Sequence, residues 1–152
     1  MHCSIKLEGS YISEYAQYEG EYNDRECLVN ALVEQGYAKE HIEVHEAPQQ
    51  LIDFQGHATH YLDPAGDKAE IIVRRAHVGG AANDLGFKKQ ENGKYAPIIS
   101  RYDTGKHNTK WLTGLKDKYH EQVATKQARK MGLKLKSRTV VNGKVIVKYL
   151  QV

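Results

Sequence analysis

The most constraining feature of this chain is a pair of strand-like runs on either side of Asn142-Gly143. Residues 133–141 and 144–150 carry apolar side chains interleaved with basic ones. Asn-Gly tolerates the positive φ angles of a type I′ turn, and that turn joins two antiparallel strands directly. The sequence therefore predicts a C-terminal β-hairpin.

Two other stretches have the apolar periodicity of helices. The first follows a potential N-cap at Asn23 and stops at Gly36, and the second starts at Asn108 or Thr109 and stops at Gly132. The apolar residues at helical spacing are Cys27, Leu28, Ala31 and Leu32 in the first and Leu112, Leu115, Tyr119 and Val123 in the second.

Short strands are expected between and before these helices. The candidates are residues 3–8, 42–44, 51–54, 70–75, 85–89 and 95–99. Asn92-Gly93 supplies a turn between the last two. The order predicts an α+β fold with one antiparallel sheet, two helices packed on one face, and a single domain over residues 1–152.

The composition argues against a membrane-spanning or secreted protein. Its purely apolar runs are far shorter than the roughly 20 residues that a membrane span needs. The first residues are polar, and the two cysteines, Cys3 and Cys27, have no short spacing. We therefore expect no membrane partner, no signal peptide and a reducing, cytoplasmic location.

Charge divides the chain into two unlike parts. Residues 1–70 contain 14 Asp and Glu against 4 Lys and Arg, whereas residues 71–152 contain 18 Lys and Arg against 5 Asp and Glu. Such asymmetry predicts either two faces for two partners or two halves that attract each other.

The acidic part begins with an unusual segment, residues 10–22, which we interpret as an insertion. Tyrosine offers large contact area with few torsions to freeze, so this composition is typical of an interface. We predict that the segment binds another protein; the alternative is that it folds over the basic half of its own chain. The predicted contact residues are Tyr11, Tyr15, Tyr18, Tyr22, Glu14, Glu19 and Glu21.

The basic part suggests an alternative function, nucleic-acid binding through phosphate contacts. Trp111 or Tyr102 would add base stacking if exposed. The predicted phosphate-binding residues are Lys126, Arg129, Lys130, Lys134, Lys136 and Arg138.

Signals for catalysis are weaker. The histidine pairs at 41/45 and 57/60 lack a third ligand at fixed spacing, and the stripe position of Cys27 favours packing over nucleophilic chemistry. The loop at Gly79-Gly80 lacks the lysine and the following helix of a phosphate-binding loop. We therefore predict a non-enzymatic protein without metal or cofactor. A second alternative is a small-ligand binder, for a nucleotide for example, or an enzyme with a pocket near Arg74, Arg75 and Asp84.

From residue 24 onward the chain resembles a known family. The matching segments are Asp24-Arg25-Glu26-Cys27-Leu28, Gly36-Tyr37, Ala69-Glu70-Ile71-Ile72-Val73-Arg74, Asp84-Leu85-Gly86-Phe87, Asn92-Gly93-Lys94-Tyr95 and Met131-Gly132-Leu133. In this order they resemble the hypothetical chloroplast reading frame thirty-five family, a domain of unknown function found in plastids, cyanobacteria, other bacteria and phages. The resemblance implies a compact α+β fold with no known catalytic residues. It further implies an accessory protein whose partner is an AAA-type ATPase or a host factor, and the insertions relative to the family indicate a phage origin.

Overall fold

A computed structural model describes residues 14–151 of the chain. One antiparallel sheet forms its centre, and its strands lie in the order β1-β5-β4-β3-β2. The strands are β1 (Tyr15–Gln17), β2 (Ile42–Gln50), β3 (Lys68–Val73), β4 (Leu85–Lys89) and β5 (Tyr95–Ser100).

In the described part of the chain, three α-helices accompany the sheet: α1 (Arg25–Glu34), the short α2 (Arg75–Val78) and α3 (Thr109–Lys130). Asp24 rather than Asn23 caps α1, because its side chain accepts a hydrogen bond from the backbone N–H of Cys27 at 3.0 Å. Asn108 caps α3 as expected, accepting from the N–H of Trp111 at 2.9 Å. None of the described helices combines the length and the apolar composition that a bilayer crossing requires.

Both long helices pack on the same face of the sheet. Leu28 and Leu32 of α1 and Leu115 of α3 are fully buried there, in one cluster with Phe87 and Ile99 of the sheet. Burying such aliphatic and aromatic side chains is the main favourable term in folding. The predicted α+β class and the placement of the two helices are confirmed.

The opposite face of the sheet is covered by a loop, residues 51–67. Buried Asp67 organises this loop by accepting backbone hydrogen bonds from Tyr61, Leu62 and Asp63. The predicted strand at residues 51–54 is wrong, because only an isolated bridge between Ile52 and Ala58 forms there.

The C-terminal hairpin is present as predicted. Strands β6 (Leu133–Val141) and β7 (Lys144–Gln151) form a separate two-stranded sheet. Asn142 and Gly143 have φ angles of 51° and 76°, as a type I′ turn requires. The hairpin packs on α3, where Arg138 contacts Glu121 at 2.6 Å.

The tyrosine-rich segment is not a separate projection over the residues that the structure describes. Its residues 15–17 form β1, an edge strand paired with β5, and Tyr22 bridges to Tyr95. From residue 14 onward the segment therefore forms part of the sheet, and the interpretation of residues 10–22 as an insertion stays a prediction. The earlier part of that segment and the predicted strand at residues 3–8 lie outside the described residues.

Candidate interaction surface

Two of the four tyrosines predicted to contact a partner lie in the core. Tyr15 is 0% exposed, and its hydroxyl donates a hydrogen bond to the main-chain oxygen of Asp84 at 2.8 Å. Tyr22 is 4% exposed and meets Phe87 and Tyr119 edge-on. Neither ring is available to a partner, so the prediction is wrong for both residues. The sheet explains the error: a strand buries the side chains that face its core.

The remaining members of that set are dispersed. Tyr18 is half-buried against the helix-side core, and Tyr11 lies outside the described residues. Buried Glu14 faces Arg101 at 3.5 Å, whereas exposed Glu21 pairs with Lys116 at 3.1 Å. Glu19 is exposed. These residues therefore do not form the single acidic, phenol-rich surface that the sequence suggested.

The predicted basic residues are divided between paired and exposed side chains. Lys126 binds the capping carboxylate of Asp24 at 2.8 Å, and Arg138 binds Glu121. Arg129 and Lys130, in the last turn of α3, are exposed. Lys134 and Lys136 lie on β6, but their side chains fall outside what the structure describes.

Exposed apolar side chains accompany these charges. Val140, Val141 and Ile146, near the turn of the hairpin, are 58%, 50% and 42% exposed. Residues 122–152 contain eight Lys and Arg and no Asp or Glu. We call the exposed part of this region the C-terminal surface; its described members are Arg129, Lys130, Met131, Arg138, Val140, Val141, Lys144, Ile146 and Lys148.

Sequence reasoning missed the apolar part of this surface. The available signal was the doublet Val140-Val141 at the end of β6. Successive residues of a strand face opposite sides, so two adjacent valines cannot both face α3. At the tip of a two-stranded sheet, one of them necessarily faces away from the helix.

A shallow groove of about 460 Å³ lies between the end of β2 and α2. It brings together the three residues predicted to line a small-ligand pocket. Its lining residues are Gln49, Gln50, Ile52, Arg74, Arg75, Ala76 and Asp84.

The arginines of this groove are already bonded within the protein. Arg74 contacts buried Asp84 at 2.8 Å and Glu43 at 3.0 Å, and Arg75 donates to a main-chain oxygen at 2.9 Å. Burial works against ionisation of Glu43, but hydrogen bonds from His45 and Arg74 outweigh it and lower the pKa of this carboxyl. Two carboxylates thus balance the charge of Arg74, which leaves it a weak attractor for an anionic ligand.

A cluster of aromatic side chains joins α1 to the start of α3. The Nε2 atom of buried His107 lies 2.6 Å from the hydroxyl of Tyr37, and the ring of Trp111 meets the imidazole edge-on. Burial, helped by nearby Lys106, lowers the pKa of His107 to about 4. The imidazole is therefore neutral at pH 7, and its Nε2 atom is hydrogen-bonded to the hydroxyl of Tyr37, accepting or donating according to the tautomer.

This cluster predicts that the fold is acid-sensitive. In the unfolded chain His107 titrates near 6.5, so between pH 6.5 and 4 the unfolded state binds a proton that the folded state does not. Stability should therefore fall as pH drops through that window, by at most about 3 kcal/mol from this residue. Urea unfolding of the wild type and His107→Gln at pH 7.5 and 4.5 measures the effect.

The variant should lose less stability than the wild type between those two pH values. His60→Gln, at an exposed loop position, is the control and should behave like the wild type. An equal acid sensitivity in all three proteins would assign the effect to other groups.

Cysteine and histidine side chains that the sequence offered as candidate chemical groups make packing contacts in the described residues. Cys27 is buried, and desolvation, together with the charge of Asp24, raises the pKa of its thiol to about 11. His41 stacks on His77 with ring centres 3.7 Å apart. Within residues 14–151, no three His, Cys, Asp or Glu side chains come together as metal ligands would.

No family model matches this chain, no curated protein matches it, and no solved structure matches it. The resemblance to the chloroplast reading frame family therefore stays a prediction. The function is best argued from the surfaces that the fold presents.

Proposed function

We propose that this chain is a non-enzymatic accessory protein that binds another protein through its C-terminal surface. The observation that carries the proposal is the exposed apolar tip of the hairpin, where Val141 and Ile146 share one face of the two-stranded sheet and Val140 lies on the other. Other exposed aliphatic residues, such as Val33 on α1 and Val44 on β2, lie on separate elements. Grouped apolar exposure marks interaction sites more often than isolated exposure does.

The shape of the hairpin supports the same proposal. A two-stranded sheet is marginally stable alone, and this one is supported by α3 while its tip remains exposed. A partner that covers the tip removes apolar surface from water. Each Å² removed contributes about 25 cal/mol of favourable free energy before the other costs of association. The surrounding Lys144 and Lys148 are exposed and would orient such a partner by charge.

The test is capture from an extract of the native host. The triple variant Val140→Thr/Val141→Thr/Ile146→Thr keeps β-branched side chains but reduces their apolar area. We expect recovery of specific partners to fall at least about tenfold, which corresponds to 1.4 kcal/mol of binding free energy. Because the three side chains are exposed, the melting temperature should change by less than about 4 °C.

The matched control is Val33→Thr/Val44→Thr, which changes exposed valines on the body. It should capture partners as the wild type does. If both variants lose the same proteins, or neither loses any, the C-terminal surface is not the contact.

A second candidate function is nucleic-acid binding, favoured by the absence of Asp and Glu from residues 122–152. Its phosphate contacts would come from Arg129, Lys130 and the hairpin lysines. Binding of this kind weakens linearly on a log–log plot against salt. A duplex DNA retained at low salt and released at moderate salt, equally by wild type and triple threonine variant, would favour it.

The family resemblance is consistent with an accessory role. We infer a protein partner, with an AAA-type ATPase or a host factor as the first candidates, and a phage origin for the chain. Mass spectrometry of the captured proteins, compared between wild type and triple variant, would identify the partner.

A further inference from the structure

The backbone of the hairpin has a defined pattern of inward and outward groups. The two-residue turn pairs Val141 with Lys144, and such turns are closed by hydrogen bonds between the flanking residues. Hydrogen-bonded and non-hydrogen-bonded pairs then alternate along an antiparallel ladder. The N–H of Ile146 therefore points toward β6, whereas the N–H and C=O groups of Val145 and Val147 point away from it.

Over the residues that the structure describes, these outward groups lie on an edge of the hairpin without a neighbouring strand. Among the described residues, β7 is hydrogen-bonded in a ladder only to β6. The register along β6 is irregular between Leu135 and Ser137, and an extra residue of this kind bends a strand and disrupts regular pairing. The outer edge of β7 is thus the more regular of the two, and it can accept another strand.

The charges beside the β7 edge indicate which kind of strand would bind there. Lys144 and Lys148 on β7 are exposed, and residues 122–152 contain no carboxylate side chain to balance them. A second copy of the hairpin would bring like charges together, which opposes edge-to-edge self-association. An acidic strand would pair opposite charges across the new ladder.

We propose that the outer edge of β7 binds an extended, acidic segment of the partner protein, which joins the hairpin as a third strand. This inference rests on the proposed function and adds the conformation and charge of the bound segment. Main-chain bonds to Val145 and Val147 would supply affinity, as in other cases of β-strand addition. Ile146, 42% exposed, and the two lysines would supply specificity.

The test uses the full chain and a blocked peptide of about seven alternating glutamate and valine residues, long enough to span the β7 edge. Amide NMR titration should shift β7 signals, and the amides of Val145 and Val147 should gain protection from hydrogen exchange. Polyglutamate of the same length, which has more negative charge but little strand preference, should bind at least about tenfold more weakly.

Two kinds of variant test the main-chain hydrogen bonds and the charges separately. Val147→Pro removes an outward N–H and spares the ladder, so it should fold and lose most peptide binding. Ile146→Pro removes an inward N–H and should instead disrupt the hairpin. Lys144→Glu/Lys148→Glu should weaken binding at least about tenfold, whereas the charge-matched control Lys89→Glu/Lys110→Glu should not.

Several outcomes would overturn the inference. They are no binding of the peptide, binding that survives both Val147→Pro and the double charge reversal, or tighter binding of duplex DNA than of the peptide at moderate salt. If the host partner is still lost in the triple threonine variant while the peptide fails, the proposed function stands and only the strand-addition mechanism falls.

Discussion

Replacing Asp84 with alanine should lower the free energy of unfolding by about 3–5 kcal/mol, among the larger single effects in this protein. The carboxylate is 1% exposed and accepts hydrogen bonds from the N–H of Ile52 and of Arg75 and from the Arg74 side chain. Alanine would leave the two backbone donors without this acceptor, and the half-buried guanidinium of Arg74 would keep Glu43 as its remaining carboxylate partner. Leaving one partner of a buried pair uncompensated costs more than the pair itself contributes.

Chemical denaturation of the wild type and Asp84→Ala measures this loss. Asp117→Asn, on the exposed side of α3, is the control and should change stability by less than about 0.5 kcal/mol. A loss below about 1 kcal/mol for Asp84→Ala would mean that water or a rearranged loop replaces the carboxylate. The groove beside α2 would then be more open than the contacts indicate.

The position of Asp84 shows what the sequence alone could not predict. Its partners are residues 52, 74 and 75, and the hydroxyl of Tyr15 reaches its main-chain oxygen. No local pattern links these positions, because they meet only when β3 and β4 pair and the 51–67 loop closes. The sequence analysis grouped Arg74, Arg75 and Asp84 around one predicted pocket. It could not show that Asp84 forms an ion pair with Arg74 and a hydrogen bond with the N–H of Arg75 within the fold.

Local signals were sufficient for the regular elements. Asn142-Gly143 predicts the hairpin because few other dipeptides adopt two positive φ angles, and Gly36 with φ of 115° follows α1 for the same reason. The strand prediction at residues 51–54 is wrong because the loop that contains them is ordered by carboxylate hydrogen bonds. A run such as Leu-Ile-Asp-Phe does not reveal those bonds.

The structure shows one of the two outcomes that the charge asymmetry left open, which is attraction between the acidic and basic parts of the chain. Several acidic residues of the first 70 pair with basic residues of the later part. Those pairs are Glu14–Arg101, Glu21–Lys116, Asp24–Lys126 and Glu43–Arg74. None of these four pairs includes Lys144 or Lys148 of the hairpin, and both lysines are exposed. Opposite charges therefore contribute within the body, and like charges accumulate at its C-terminal end.

Tyr15 provides the second large expected effect, and it separates two roles for the tyrosine-rich segment. If Tyr15 were a contact residue, alanine there would weaken partner binding and leave stability unchanged. The structure places its ring among Leu51, Ala69, Ile72 and Ile98 on the loop-covered face of the sheet. Tyr15→Ala should therefore lower the free energy of unfolding by about 3–5 kcal/mol, as large-to-small aromatic changes in cores do.

Tyr15→Phe separates the contribution of the hydroxyl from that of the aromatic ring. It keeps the ring but removes the hydroxyl that donates to the main chain of Asp84 at 2.8 Å, so it should cost about 1–2 kcal/mol. Tyr18→Ala, at a half-buried position on the same segment, should cost less than Tyr15→Ala because less area is uncovered. Denaturation curves for the three variants give the stability order, and partner capture by the folded Tyr15→Phe protein completes the comparison. A stable Tyr15→Ala protein that no longer captures its partner would instead mean that Tyr15 is a contact residue and that the interface includes β1.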